Sequence, residues 1–222
     1  MDADAVYRAW AEREGEFSPR YYAYYGPDET SEFLREVVAG MATASPTILE
    51  LGCSSGRHLA HLHEHGYRDL VGIEINDDAV AVMEDVYPDL AAAATVHVGA
   101  IEDVITEFPA DSLDVVFSAE TLQHIHRDHT WVFDEVARVT ADRLVTVERE
   151  SPGTGSESTT EQEAGTTVQS NSDRESVTYV NEEFPLYYRD WGSVFGGRGF
   201  EQETVADLGR LTGRAFRRVD GR

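Results

Sequence analysis

A short apolar run that opens into a turn of small residues constrains this chain more than any other feature. Residues 48–56 read Ile-Leu-Glu-Leu-Gly-Cys-Ser-Ser-Gly, and residues 72–76 read Gly-Ile-Glu-Ile-Asn. The first run has the character of a buried strand that passes through Gly52, Ser54 and Gly56 into a helix. The second is a strand with a carboxylate, Glu74, at its tip. A turn free of bulky side chains lets an anionic group reach backbone N–H groups at a helix N-terminus. An acid ending the next strand is placed to accept hydrogen bonds from a ribose diol. The pair predicts the nucleoside-binding half of an α/β sheet.

Alternation continues on either side. Strands are expected at 47–51, 69–75, 95–98, 113–119 and 143–148, with helices at about 55–65, 77–87 and 101–108 and within 131–139. Apolar strands in that rhythm imply a parallel sheet with helices on both faces. Ahead of them, residues 1–45 read as a helical segment carrying Tyr7, Trp10, Tyr21, Tyr22, Tyr24 and Tyr25. Gly26-Pro27-Asp28 breaks it, and a second amphipathic helix is expected over 29–40. Residues 151–176, rich in Ser, Thr, Gly and Glu, read as a flexible acidic insertion or as a loop that orders over a ligand. A helix at 189–195 follows, then two strands at 200–205 and 213–219 whose short connection suggests an antiparallel hairpin. The 222 residues are expected to form one domain.

The net charge is −24, and all 18 basic residues are arginine. A carboxylate excess without lysine resembles the proteins of extreme halophiles, of haloarchaeal type. At 1 M salt the screening length is roughly 3 Å, so dense surface carboxylates repel little. An acidic face for a basic partner is the alternative reading. Either way, binding nucleic acid through its phosphates is disfavoured, because that needs clustered cations. The single cysteine, Cys53, allows no internal disulfide, which points to the cytoplasm. The start Met-Asp-Ala-Asp shows no secretory signal, and no apolar run suffices for a membrane span.

The 48–56 and 72–76 runs resemble motif I and the acidic loop of the class I S-adenosylmethionine-dependent methyltransferases. The resemblance covers residues 47–150 and implies a Rossmann-like fold: a mostly parallel seven-stranded sheet with an antiparallel last strand. It implies S-adenosylmethionine as cofactor. Glu50 would hold the cofactor's ammonium, and the turn of Gly52, Ser54 and Gly56 its carboxylate near the helix start. Ser54 stands where a middle glycine is usual. Glu74 would take the ribose. Ala100 replaces a common aspartate after the third strand, leaving Ile101 to cover the adenine and Glu102 to reach its amino group. Residues 118–120, Ser118 to Glu120, would line the methyl-donor side. A nicotinamide-binding unit needs G-x-G-x-x-G, whereas Gly52 and Gly56 lie four apart with serines at 54 and 55.

An alcohol acceptor needs a base suited to neutral pH. The run after the fourth strand offers His124, which matches a histidine often present in the family, then Glu120 and His126. His124 has a competing reading as a loop or packing residue. His124, His126 and His129 match no zinc spacing, so no metal is expected. His58, His61 and His65 share a helix face expected to be solvated. The tyrosines at 21–25 are candidates for a lid, with a packing segment as the alternative. Tyr187, Tyr188, Arg189 and Trp191 are candidates for the acceptor pocket. The expected activity is O-methylation of a small molecule or sugar, with a uronic acid of surface glycan assembly as one variant. The alternatives are a nicotinamide-dependent oxidoreductase and a non-catalytic cofactor-binding regulator.

Overall fold

The computed structural model describes residues 2–15, 18–150, 177–180 and 184–219. Nine strands occur among them: β1 (Ile48–Leu51), β2 (Leu70–Glu74), β3 (Thr95–Val98), β4 (Leu113–Ala119), β5 (Thr140–Glu148), β6 (Val177–Val180), β7 (Phe184–Tyr187), β8 (Phe200–Leu208) and β9 (Leu211–Arg218). Seven of them form one sheet in the order β3-β2-β1-β4-β5-β9-β8. The first five run parallel, with Glu50 beside Gly72 on one side and Phe117 on the other. β9 runs antiparallel to both β5 and β8. The antiparallel last strand is therefore present, inserted between two neighbours rather than lying at the edge.

The strand order reverses at β1, whose neighbours are β2 and β4. A crevice opens at such a switch point, beyond the carboxyl ends of the strands. Helices α1 (Ala3–Ala11), α2 (Pro19–Tyr25) and α3 (Glu29–Ala39) precede the sheet. The helices α4 (Arg57–Glu64), α5 (Asp78–Val86), α6 (Pro88–Ala93), α7 (Ile101–Val104), α8 (Val132–Val139) and α9 (Trp191–Gly196) follow in turn. The helix expected over 101–108 is one α turn that tightens into a 3₁₀ turn at Ile105–Glu107.

Both faces of the sheet are buried, as apolar parallel strands require. Leu49, Leu51, Ile73, Val116 and Leu144 pack with Phe133, Val136, Trp191 and Phe195. Ile48, Val115, Phe117, Val145 and Val147 pack with Leu34, Val38, Leu59 and Leu62. Each such side chain contributes roughly 1.5–3 kcal/mol by leaving water. The predicted hairpin is longer than its sequence pattern suggested. Its strands pair out to Leu208 and Leu211 around a two-residue turn that contains Gly209 at φ +74°.

One element escaped the sequence reading. β6 and β7 form a separate antiparallel ribbon, with Pro185 opposite Tyr179. A proline inside a run signals against a strand, and it is tolerated here because a two-stranded ribbon is all edge. The insertion expected at 151–176 lies outside the described residues.

Candidate active site

A cleft lies over the carboxyl ends of β1, β2 and β4. Its floor is the turn after β1. Gly52 sits at φ +71°, and a Cβ there would meet the Thr121 Oγ1 at 2.4 Å. Ser54 takes φ +49°, a left-handed conformation that costs a non-glycine residue some strain. Its N–H donates to Glu74 Oε2 at 2.7 Å, which helps hold it there. Gly56 (φ +82°) precedes α4, and a Cβ on it would meet Met83 at 2.7 Å and Leu90 at 2.8 Å. Gly56 thus serves close packing and is not part of the cleft wall.

The carboxylates lie where the strand alternation puts them. Glu74 Oε1 accepts from the Asn76 N–H at 2.9 Å. Burial raises the Glu74 carboxyl above its usual range, while the N–H groups of Asn76 and Ser54 and the charge of Arg13 pull it down. Glu50 is buried, and burial pushes its carboxyl well up. Its Oε2 has no hydrogen-bond partner, and neither does the Ser54 hydroxyl.

At the other end of the cleft, Gly99, Ala100, Ile101 and Glu102 form the wall. Glu102 accepts a hydrogen bond from the Tyr7 hydroxyl of α1, which also meets His129 Nδ1. His129 Nδ1 is 3.5 Å from Glu102 Oε1. The residue expected at the adenine is thereby tied to the N-terminal segment. Burial, then Glu102, drives the Tyr7 phenol far up.

Three residues expected on the donor side part company. Glu120 lines the cleft at φ +51°, with Arg149 Nε 4.0 Å from its carboxylate. Ser118 is fully buried outside the lining, its hydroxyl donating to Glu148. His126 is also outside the lining: its Nδ1 accepts from the Asp128 N–H at 3.3 Å, and its ring stands edge-on to Tyr187.

His124 does face the cleft. Its Nδ1 lies 2.9 Å from the Pro185 carbonyl. A carbonyl only accepts, so Nδ1 carries the proton, and the unprotonated Nε2 accepts a long contact of 3.4 Å from the Gln123 side-chain amide. Burial pushes the imidazole down to about 4, so it is neutral at physiological pH. Trp10 lies 4.5 Å from the His124 ring and 4.4 Å from Phe184, and the Arg13 guanidinium rides 4.0 Å above Trp10.

Of the tyrosine cluster only Tyr22 lines the cleft, and burial raises its phenol to about 12. Tyr21 and Tyr24 instead pack edge-to-face with Tyr25, and Tyr24 is 87% exposed. Tyr7, Trp10, Arg13 and Thr121 were not singled out as site residues. The aromatic density of the N-terminal segment was a visible signal for the first two, and nothing in the sequence marked the others.

Two expectations are corrected. His58 is buried against Ser31 Oγ at 2.8 Å rather than solvated, and burial pushes it down to about 3. Arg189 is buried too, and donates to the carbonyls of Leu122 at 3.2 Å and Ile125 at 2.8 Å, so it is not an acceptor-binding cation. Trp191, beside it, belongs to the core. Among the described residues no group of three His, Cys, Asp or Glu side chains is arranged to hold a metal ion. Among them, too, no helix is long and apolar enough to cross a membrane.

Residues 48–143 match the family model described as a methyltransferase domain. No curated protein sequence matches the chain. Solved structures share its fold. A geranyl diphosphate C-methyltransferase from Streptomyces coelicolor A3(2) aligns with TM-score 0.66 at 14% identity, covering 97% of each chain. A Burkholderia thailandensis 1,6-didemethyltoxoflavin-N1-methyltransferase aligns with TM-score 0.63 at 12% identity, covering 92% of this chain and 80% of the other. An S-adenosylmethionine-dependent methyltransferase from Mesorhizobium loti aligns with TM-score 0.61 at 16% identity, covering 86% and 99%. The strand order and the cleft at its switch point are those of the fold these solved structures share, and residues 48–143 within it match a methyltransferase domain.

Proposed function

We propose that the protein is an S-adenosylmethionine-dependent methyltransferase that methylates an oxygen of a small molecule or sugar, with His124 as the base. The observation that carries this reading is a neutral imidazole, protonated at Nδ1, that lines the same cleft as Glu74 and Glu50. When bound, the cofactor supplies an electrophilic methyl group on a sulfonium. The residues present fit it: Glu50 Oε2 and the Ser54 hydroxyl are buried polar atoms without partners, as expected of groups awaiting a ligand.

In this reading Glu74 binds the ribose diol, Glu50 the ammonium, and Ile101 and Glu102 the adenine. His124 would take the acceptor's proton at Nε2, while the cofactor would supply the methyl group to the acceptor oxygen and leave, its sulfur–methyl bond broken, as a neutral thioether. Trp10 and Tyr22 exclude water, and an aromatic face near the sulfonium is worth roughly 0.5–2 kcal/mol. Glu120, beside Arg149, is the second candidate base. His126 drops behind both, because it does not line the cleft.

The likeness to enzymes named for geranyl diphosphate and 1,6-didemethyltoxoflavin supports a small acceptor. The acidic surface argues against nucleic acid. A uronic acid remains within the class, without Arg189 as its anchor. The arginine-only, acid-rich composition supports a haloarchaeal, cytoplasmic setting. The test is S-adenosylhomocysteine release on a panel of sugars, uronic acids and phenols. Turnover lost in His124→Asn but kept in His126→Asn supports the assignment. Full activity of His124→Asn refutes it.

A further inference from the structure

Arg13 lies in the connection between α1 and α2, and its side chain lines the cleft. Its guanidinium stacks 4.0 Å above Trp10, with Tyr22 at 5.8 Å and Phe184 at 6.0 Å. Nε and Nη1 are buried without a hydrogen-bond partner. In a chain with 42 acidic residues, no ion pair to Arg13 occurs among the described residues. Burial draws it down to about 10, so it remains charged at neutral pH. A buried cation with unfilled donors is costly until an anion meets it.

The cleft holds an orphan of the opposite kind in Glu50 Oε2, a buried acceptor with no donor. Arg13 and Glu50 make no ion pair with one another, so each is left to be satisfied by a third party. A cation with two unfilled donors and a carboxyl group with one unfilled acceptor in a single cleft are complementary to a zwitterion, an α-amino acid head group. A planar guanidinium fixed by an indole face presents its N–H fork in a set direction, which suits a carboxylate.

We infer that Arg13 binds the carboxylate of the cofactor's amino-acid tail. The inference rests on the methyltransferase reading. It gives α1 and its connection a role in holding the cofactor, beyond covering it.

The test is calorimetric and needs no acceptor. The full chain and Arg13→Gln are titrated with S-adenosylhomocysteine and with 5′-methylthioadenosine, the same nucleoside thioether without the amino-acid tail. The expected result is a roughly 10- to 100-fold weaker affinity of the variant for S-adenosylhomocysteine. Affinity for 5′-methylthioadenosine stays within about twofold, which also reports that the variant is folded. Arg13→Lys recovers part of the loss. Unchanged S-adenosylhomocysteine affinity overturns the inference and leaves Arg13 to an anionic acceptor. Equal loss for both ligands also overturns it, by placing the effect at the nucleoside end. Failure of the unaltered protein to bind either ligand counts instead against the methyltransferase reading.

Discussion

Glu148 and Arg189 take hold of the same residue from opposite sides. The Leu122 N–H donates to Glu148 Oε1 at 3.0 Å, and the Leu122 carbonyl accepts from Arg189 Nη1 at 3.2 Å. Glu148 also receives the N–H groups of Thr121 at 3.2 Å and Gln123 at 3.3 Å, while Arg189 donates to Ile125 at 2.8 Å. The 3₁₀ turn Leu122–His124 is thereby suspended between a carboxylate and a guanidinium. A short turn leaves its first N–H and last carbonyl groups unpaired, and these two side chains supply the partners. His124 is aimed by this arrangement.

Replacing Arg189 by Met removes the donors from two buried carbonyls. The expected cost is about 2–4 kcal/mol. In a protein of this size that lowers the melting temperature by roughly 5–15 °C. A thermal scan showing a shift under 2 °C contradicts the clamp.

Glu148 makes stability depend on pH. Burial raises its carboxyl from 4.5 to about 7 in the folded state, against the pull of its hydrogen bonds. Between those two values the folded chain binds more protons than the unfolded one, so stability falls as pH rises through that window. The loss is on the order of 3 kcal/mol. Urea unfolding of the protein and of Glu148→Gln from pH 4.5 to 8 isolates the effect, because other groups cancel in the difference. The variant gains relative to the parent as pH rises; a difference independent of pH refutes the assignment.

Glu74→Ala removes the acceptor expected at the ribose and the partner of the Ser54 and Asn76 N–H groups. S-adenosylhomocysteine affinity is expected to drop at least roughly 10-fold by calorimetry. Unchanged binding shows the ribose assignment to be wrong.

The His124 imidazole, lowered to about 4, is deprotonated above pH 5 and carries its proton on Nδ1. Nitrogen-15 NMR at pH 6 is expected to report that neutral tautomer. An imidazolium signal at that pH removes His124 as a base. His124→Asn is expected to cut turnover roughly 10²- to 10⁴-fold while S-adenosylhomocysteine affinity changes little.

The site divides by how far apart its parts lie along the chain. Glu50, Gly52, Ser54 and Glu74 were legible because a strand, its turn and the next parallel strand fix one another within 25 residues. Ile101, Glu102 and His124 followed from their places after β3 and β4. Ser118 and His126 sit near the expected strand end but outside the cleft lining, held there by hydrogen bonds to Glu148 and from the Asp128 N–H. Arg189 and His58 were misjudged because each has found a buried partner that no local pattern announces.

From sequence alone came the alternating elements, the parallel sheet that they imply, and the acids at the strand tips. These depend on periodicity and on residues adjacent in the chain. Only the tertiary structure decided which polar groups face the cleft, because their partners are remote: Leu122 lies 67 residues from Arg189, and Pro185 lies 61 from His124. Whether a buried side chain is spent on the protein's own backbone or left open for a ligand depends on packing between distant segments, and hydrophobic pattern carries no record of it.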